Sequence, residues 1–274
     1  MLTRRGLLAG LLCLTFAPAA EAASRAGLKA GKRVAKGNGK VDAVIDISHM
    51  TTVNDFKAAR RHSNILGVIH KASEGGDWRD PLYARRRQEA EAAGLLWGAY
   101  HFGTHQYSGA QQASLFLAAA RPSAATLMAL DLEFNEDNPG NTMLLHQAEE
   151  FVHAVFAATG RYPMIYVNAA WADGKPMGDS GRRLGAGGIT PKSVLANCPL
   201  WLADYRTTPE LPNAWKGKGW HFWQYAGDTE QCGPRCRRVR TVSGVVRCDR
   251  NMFHGDAVAL GRFWKSEGGR LAAG

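Results

Sequence analysis

From Val41 onward, short β-branched or aromatic runs alternate with amphipathic stretches, the pattern of parallel strands joined by helices. It predicts a strand over residues 43–48, a short helix over 54–61, a strand over 65–71, a helix over 81–93 with Pro81 in its first turn, and a strand over 95–102. A helix over 110–120, a strand over 126–133, a helix over 143–159 closed by Gly160 and a strand over 163–168 complete the alternating part. Beyond it the helices fade. Residues 174–188 read as a long glycine-rich loop, only 191–196 suit a helical turn, and three further strands are expected over 200–204, 220–225 and 245–249. Eight strands, five with helical crossovers and three without, and no internal repeat or linker over 41–264, predict a single-domain α/β barrel of irregular TIM type.

The longest apolar run lies outside this pattern. Residues 1–23 combine Arg4 and Arg5, an apolar stretch and the small-residue tail Ala20-Glu21-Ala22, and so read as a secretory signal peptide. The paired arginines suggest the twin-arginine route, although a general secretory signal has the same parts. Residues 24–40 are a flexible basic lead-in, 41–265 the barrel and 266–274 a C-terminal tail. No later stretch reaches the ~20 apolar residues of a membrane helix. The expected location is therefore periplasmic or extracellular, without stable membrane insertion, and the expected state a monomer. Export also bears on the cysteines. Removing Cys13 with the signal leaves Cys198, Cys232, Cys236 and Cys248, an even set for which two disulfides are expected. Four cysteines allow three pairings, and spacing does not choose among them.

In such a barrel the active site gathers at the C-terminal ends of the strands. Asp46 lies late in the first expected strand, Asp131 and Glu133 end the fourth, Asp204 the sixth and Asp249 the eighth. Asp131-Leu132-Glu133 is the sharpest feature, because alternate strand residues face the same side, about 6.5–7 Å apart. Crowded carboxylates repel, which raises at least one pKa and keeps a general acid protonated near neutral pH. Paired acids are the minimum equipment for cleaving a glycoside. Tyr100, Phe102, Tyr166, Trp201, Tyr205, Trp223 and Tyr225 ring the same strand ends, and their flat faces suit sugar rings. Strand alternation sends only about half of them into a cleft.

Taken in order, these segments resemble the family 25 glycoside hydrolases, the Chalaropsis-type lysozymes. The resemblance rests on Val44-Ile45-Asp46-Ile47-Ser48, Val68-Ile69-His70-Lys71-Ala72-Ser73-Glu74-Gly75, Gly98-Ala99-Tyr100-His101-Phe102 and Leu130-Asp131-Leu132-Glu133. It continues through Tyr162-Pro163-Met164-Ile165-Tyr166, Leu200-Trp201-Leu202-Ala203-Asp204-Tyr205, Phe222-Trp223-Gln224-Tyr225 and Asp249-Arg250-Asn251-Met252-Phe253. It implies a (β/α)5(β)3 barrel that hydrolyses the β-1,4 bond between N-acetylmuramic acid and N-acetylglucosamine in peptidoglycan glycan strands. Glu133 would be the proton donor and Asp131 the second carboxylate, with Asp46 and Asp249 completing the catalytic set. Tyr100, Phe102, Tyr166, Trp201, Asp204, Trp223, Gln224, Lys71 and Glu74 would bind substrate. The second carboxylate either attacks the sugar or steadies the substrate's own acetamido group as it attacks. The basic insertion over 231–245 departs from the family pattern.

Rival readings are weaker. A net charge of +10 and the run Arg235 to Arg240 invite nucleic acid, but export argues against it, and a basic surface equally suits an anionic cell wall. His101 and His105 lack the H-E-x-x-H helix of a metal site, and acid-pair hydrolysis requires no metal or other cofactor. A non-catalytic glycan-binding barrel and a chitinase-like N-acetylhexosaminidase are the alternatives; all four acids being present speaks against the first.

Overall fold

The computed structural model describes residues 39–177, 188–227 and 241–267. The signal peptide, most of the lead-in, the basic run, Cys232, Cys236 and most of the C-terminal tail lie outside the described residues.

Eight strands close a barrel. In chain order the described elements are β1 (Val41–Ile47), β2 (Thr52–Val53), α1 (Phe56–His62), β3 (Gly67–Glu74), β4 (Trp78–Arg79), α2 (Tyr83–Ala92) and β5 (Leu96–Phe102). They continue as α3 (Gly109–Ala120), β6 (Leu127–Asp131), α4 (Leu145–Thr159), β7 (Met164–Val167), α5 (Ala169–Ala172) and β8 (Leu200–Ala203). The last are β9 (Phe222–Ala226), β10 (Val245–Val246), β11 (Asp249–Phe253) and α6 (Ala257–Arg262). The barrel runs β1-β3-β5-β6-β7-β8-β9-β11 and closes on β1. Five helical crossovers are followed by strands without them, as the alternation predicts.

The eighth strand departs from that prediction. Val245 and Val246, the β-branched pair expected to begin it, form a separate ribbon with Val53 and Thr52. The barrel strand is β11, antiparallel to both β9 and β1. Asp249 therefore opens its strand instead of ending it. Reversed direction restores its place: Asp249 pairs with Asp46, at the mouth where β1 ends.

Alternation sorts the strand residues into two layers. Ile45, Val68, Met128, Leu130, Ile165 and Leu202 pack outward with Phe56, Phe116, Phe151 and Val155 of the helices. Val44, Ile69, Leu127, Ala129, Met164, Trp201, Phe222 and Phe253 fill the barrel together with Leu260, Phe263 and Trp264. The C-terminal segment thus plugs the closed end. Trp264 is fully buried, its Nε1 donates to the Trp97 carbonyl at 2.8 Å, and a Cβ on Gly67 would lie 2.8 Å from its ring. Glycine at 67 is what admits the indole.

Cys198 is buried and Cys248 half-buried, and both are free thiols. The other two cysteines of the expected bridges, Cys232 and Cys236, lie outside the described residues. The Cys198 Sγ donates to the Val194 carbonyl within its own turn, at 3.6 Å, and burial pushes its thiol well above the ordinary range.

Candidate active site

The acids meet at the open mouth. Asp46 is 6% exposed, and Asn251 Nδ2 donates to its Oδ1 at 2.6 Å while Gln224 Nε2 lies 3.1 Å from each of its oxygens. The same Gln224 amide donates to Asp249 Oδ2 at 3.3 Å. These donors are themselves held. Trp201 Nε1 donates to Asn251 Oδ1 at 2.6 Å, and the hydroxyls of Tyr166 and Tyr205 donate to Gln224 Oε1 at 2.9 and 3.0 Å. Every amide atom of Gln224 is thereby oriented, and its nitrogen must face the carboxylates.

Asp131 ends β6, with Glu133 two residues on; Leu132 and Phe134 between and after them turn outward into the helix layer. Burial, then the neighbouring charge of Glu133, raises the Asp131 carboxyl well above its ordinary value, while Lys71 draws it down. Burial first and Glu136 second push Glu133 up to about 7, again with Lys71 opposing. Burial also raises Asp46 in spite of its amide donors. Carboxylates in mutual reach and poor in water hold their protons to higher pH than exposed ones. The Oδ1 atom of Asp131 is buried and has no hydrogen-bond partner.

A bulge in the pairing of β3 with β5 between Lys71 and Ser73 brings Lys71 and Glu74 to the same side, where Lys71 Nζ meets Glu74 Oε2 at 2.6 Å. That ammonium also lies 4.7 Å from the centre of the Phe102 ring and 5.3 Å from that of Trp78. Ser73 and His101 point the other way. Gln112 Oε1 accepts from the Thr104 amide at 2.9 Å, so His101 Nε2 donates to that oxygen and its Nδ1 accepts from Ser73 Oγ at 2.9 Å. Burial lowers His101 to about 4, so it stays neutral and ties β3 and β5 to the loop after Phe102. Among the described residues no group of three His, Cys, Asp or Glu is placed to hold a metal ion.

A cleft of about 240 Å³ opens over this end. Asp46, Tyr100 and Asp249 line it from the barrel, Ser48, Met50 and Thr51 from the loop after β1, and Tyr205, Gly227 and Arg247 from the far side. Asp131 and Glu133 are not among its walls, but both charges act on Tyr100, which is. Of the substrate residues expected from sequence, Tyr100 lines the cleft, half-exposed Phe102 carries Lys71, and Tyr166 is 8% exposed beneath Gln224.

Four other expected residues lie away from the open face of the cleft. Trp201 points into the barrel, is 2% exposed and packs edge-on against Tyr166. Trp223 faces the outer layer with Tyr225, because alternation turns it away from inward Phe222 and Gln224. Asp204 has both oxygens engaged by Arg206 and by the Glu210 amide, so it organises its own loop. Gln224, 2% exposed, has its amide turned to Asp46 and Asp249. The cleft-lining Met50 and Arg247 carried no signal in the sequence, and Asn251 stood only as part of a motif.

An acid cluster at the mouth of a (β/α)5(β)3 barrel is the equipment of a glycoside hydrolase. The sequence matches the model described as Glycosyl hydrolases family 25 over residues 45–233. It is 27% identical to lysozyme M1 of Streptomyces globisporus over 93% of this chain and 90% of that one. It is 29% identical to an N,O-diacetylmuramidase of Arthroderma benhamiae over 79% and 84%. A family GH25 lysozyme structure from Aspergillus fumigatus superposes with a TM-score of 0.63 at 29% identity, covering 83% of this chain and 99% of that one. The chain belongs to glycosyl hydrolase family 25 and is a glycoside hydrolase of the lysozyme type.

Proposed function

We propose that the chain is an exported 1,4-β-N-acetylmuramidase, cutting peptidoglycan between N-acetylmuramic acid and N-acetylglucosamine with Glu133 as proton donor. The observation that carries this is the state of Glu133. It is half-buried at the barrel mouth, its carboxyl is held up to about 7, and an acid with that pKa is matched to protonating a leaving glycosidic oxygen near neutral pH. The lysozyme and the N,O-diacetylmuramidase among the relatives support peptidoglycan as the substrate.

Asp131 is the second carboxylate. Its buried, unpartnered Oδ1 favours the route in which it steadies the substrate's acetamido N–H while the acetamido oxygen attacks the anomeric carbon. Asp46 and Asp249, held by Gln224 and Asn251, keep the mouth acidic. The net charge of +10 suits an anionic wall, where long-range attraction raises the rate of encounter. Among the described residues no helix is long and apolar enough to cross a membrane.

Release of reducing sugar from purified peptidoglycan by the mature protein and by Glu133→Gln tests the assignment. Release by the wild type that falls at least about 100-fold in the variant is expected for loss of a general acid. Equal release by both removes Glu133 from the role, and no release by the folded wild type leaves a glycan-binding barrel.

A further inference from the structure

The loop after β1 forms one wall of the cleft, through Ser48, Met50 and Thr51, and begins just beyond Asp46. Little of it is held by its own burial: His49 and Met50 are exposed, Met50 to 79%. A segment with few buried apolar contacts opens readily unless polar contacts tie it down.

Those contacts come from α2, behind the strand layer. Arg86 is 4% exposed; its Nη1 donates to the Ser48 carbonyl at 2.6 Å and its Nη2 to the Thr51 carbonyl at 2.5 Å. One planar guanidinium thus grips both ends of the loop, where the Thr51 amide also closes on the Ser48 carbonyl at 3.0 Å. His70 of β3 steadies the guanidinium. Its Nδ1 donates to the Lys71 carbonyl at 2.7 Å, so its Nε2 keeps a lone pair and accepts from Arg86 Nη1 at 3.2 Å. Burial lowers His70 to about 4, which keeps the ring neutral in that role. Asp80 secures the middle of the loop: its Oδ2 accepts from the His49 amide at 2.8 Å, and its Oδ1 from the Leu82 amide at 2.9 Å, at the entrance to α2.

A buried cation is costly to desolvate, and the common compensation is a hydrogen-bonded carboxylate. Asp80 attracts Arg86 but takes none of its hydrogen bonds, which go to the two carbonyls and the ring nitrogen, and the buried Nε has no hydrogen-bond partner. Docking α2 on the barrel does not require this arrangement, since Tyr83 and Ala90 of the same helix are buried in the outer apolar layer. The guanidinium serves the shape of the loop.

We propose that Arg86 is a positioning residue for the glycan-cleaving reaction: its two-pronged grip on the Ser48 and Thr51 carbonyls fixes the wall on which Met50 meets the glycan. The inference rests on the muramidase reading above. Arg86 touches no substrate and moves no proton. A loosened wall weakens contacts made equally in the ground and transition states, so the loss falls on KM and spares kcat.

Initial rates on soluble, uncross-linked glycan strands of peptidoglycan test it, each variant scaled to its folded fraction. Arg86→Met keeps the stem and removes the donors, and is expected to raise KM about tenfold with kcat within about twofold. Arg86→Lys keeps the cation but reaches one carbonyl, and should raise KM about threefold. A double-mutant cycle separates positioning from support of the fold. Met50→Ala alone should raise KM about threefold but add less than about 1.5-fold in the Arg86→Met background, because the wall that presents Met50 is already displaced. A fall in kcat at unchanged KM, or independent effects of Met50→Ala and Arg86→Met, overturns the inference. Should Arg86→Met fail to fold, Arg86→Lys decides, and an unchanged KM there overturns it; failure of both to fold makes Arg86 a folding residue and overturns it too. A wild type that releases no reducing sugar overturns the muramidase reading and this one together, whereas wild-type turnover with an unmoved KM in the variants overturns this one alone.

Discussion

The side-chain amide nitrogen of Gln224 lies 3.1 Å from both carboxylate oxygens of Asp46, and the same nitrogen reaches Asp249 at 3.3 Å. One amide therefore holds together two carboxylates from strands that run in opposite directions. Gln224→Leu removes the shared donor and strips Tyr166 and Tyr205 of their acceptor. Leaving buried polar groups unsatisfied costs about 1–3 kcal/mol each. The variant should unfold at lower denaturant and lose kcat more than KM; unchanged stability and turnover would show the amide to be incidental.

The raised carboxyl of Glu133 has a consequence for stability. Its pKa is about 7 in the folded protein against 4.5 ordinarily, so the folded state binds the extra proton between those values. Stability is then greatest below about 4.5 from this group and falls as pH rises through about 7. Glu133→Gln removes that loss. Thermal melts should show the variant more stable than wild type at pH 8 and equal to it at pH 4. A difference independent of pH would contradict the assignment.

The plug at the closed end makes a prediction about packing. Gly67→Ala places a methyl group against the Trp264 ring, where overpacking costs about 1–3 kcal/mol. Trp264→Ala empties a fully buried site and should cost about 3–5 kcal/mol. Both effects should appear in chemical denaturation, while kcat of the folded fraction stays close to that of the wild type, since the plug lies at the end of the barrel away from the acids.

The thiols can be counted. Denatured, unreduced mature protein should react with at least two equivalents of a thiol reagent, from Cys198 and Cys248. Native protein should react slowly, because burial raises Cys198 far above its ordinary range and Cys248 to about 12. Zero thiols on denaturation would instead show two disulfides.

Much of the barrel was legible because its inner and outer layers are apolar, and alternation around crossovers marks each strand. Residues 126–133 read as a strand for that reason, and Asp131-Leu132-Glu133 could be placed at its end. β11 was not legible. Its Asp249, Arg250 and Asn251 look like a loop, since they meet partners that hydropathy does not register: Asp46, the Asp42 carboxylate that receives Arg250, and Trp201. The β-branched pair Val245 and Val246 drew the prediction away, although it serves the small ribbon outside the barrel. The directions of the aromatics were not legible for a related reason. Residue type suggests a sugar platform, but only strand direction tells that Trp223 faces outward and only depth tells that Trp201 is buried. Arg247 gave no signal because its place depends on Gly244, whose carbonyl accepts from the Asn54 and Asp55 amides.

The most direct measurement is the identity of the new reducing end. Peptidoglycan digested by the mature protein, reduced with borohydride and read by mass spectrometry, should yield muropeptides ending in reduced muramic acid, absent from the Glu133→Gln digest. Products ending in reduced glucosamine, or the same products from the variant, would contradict a muramidase with Glu133 as its acid.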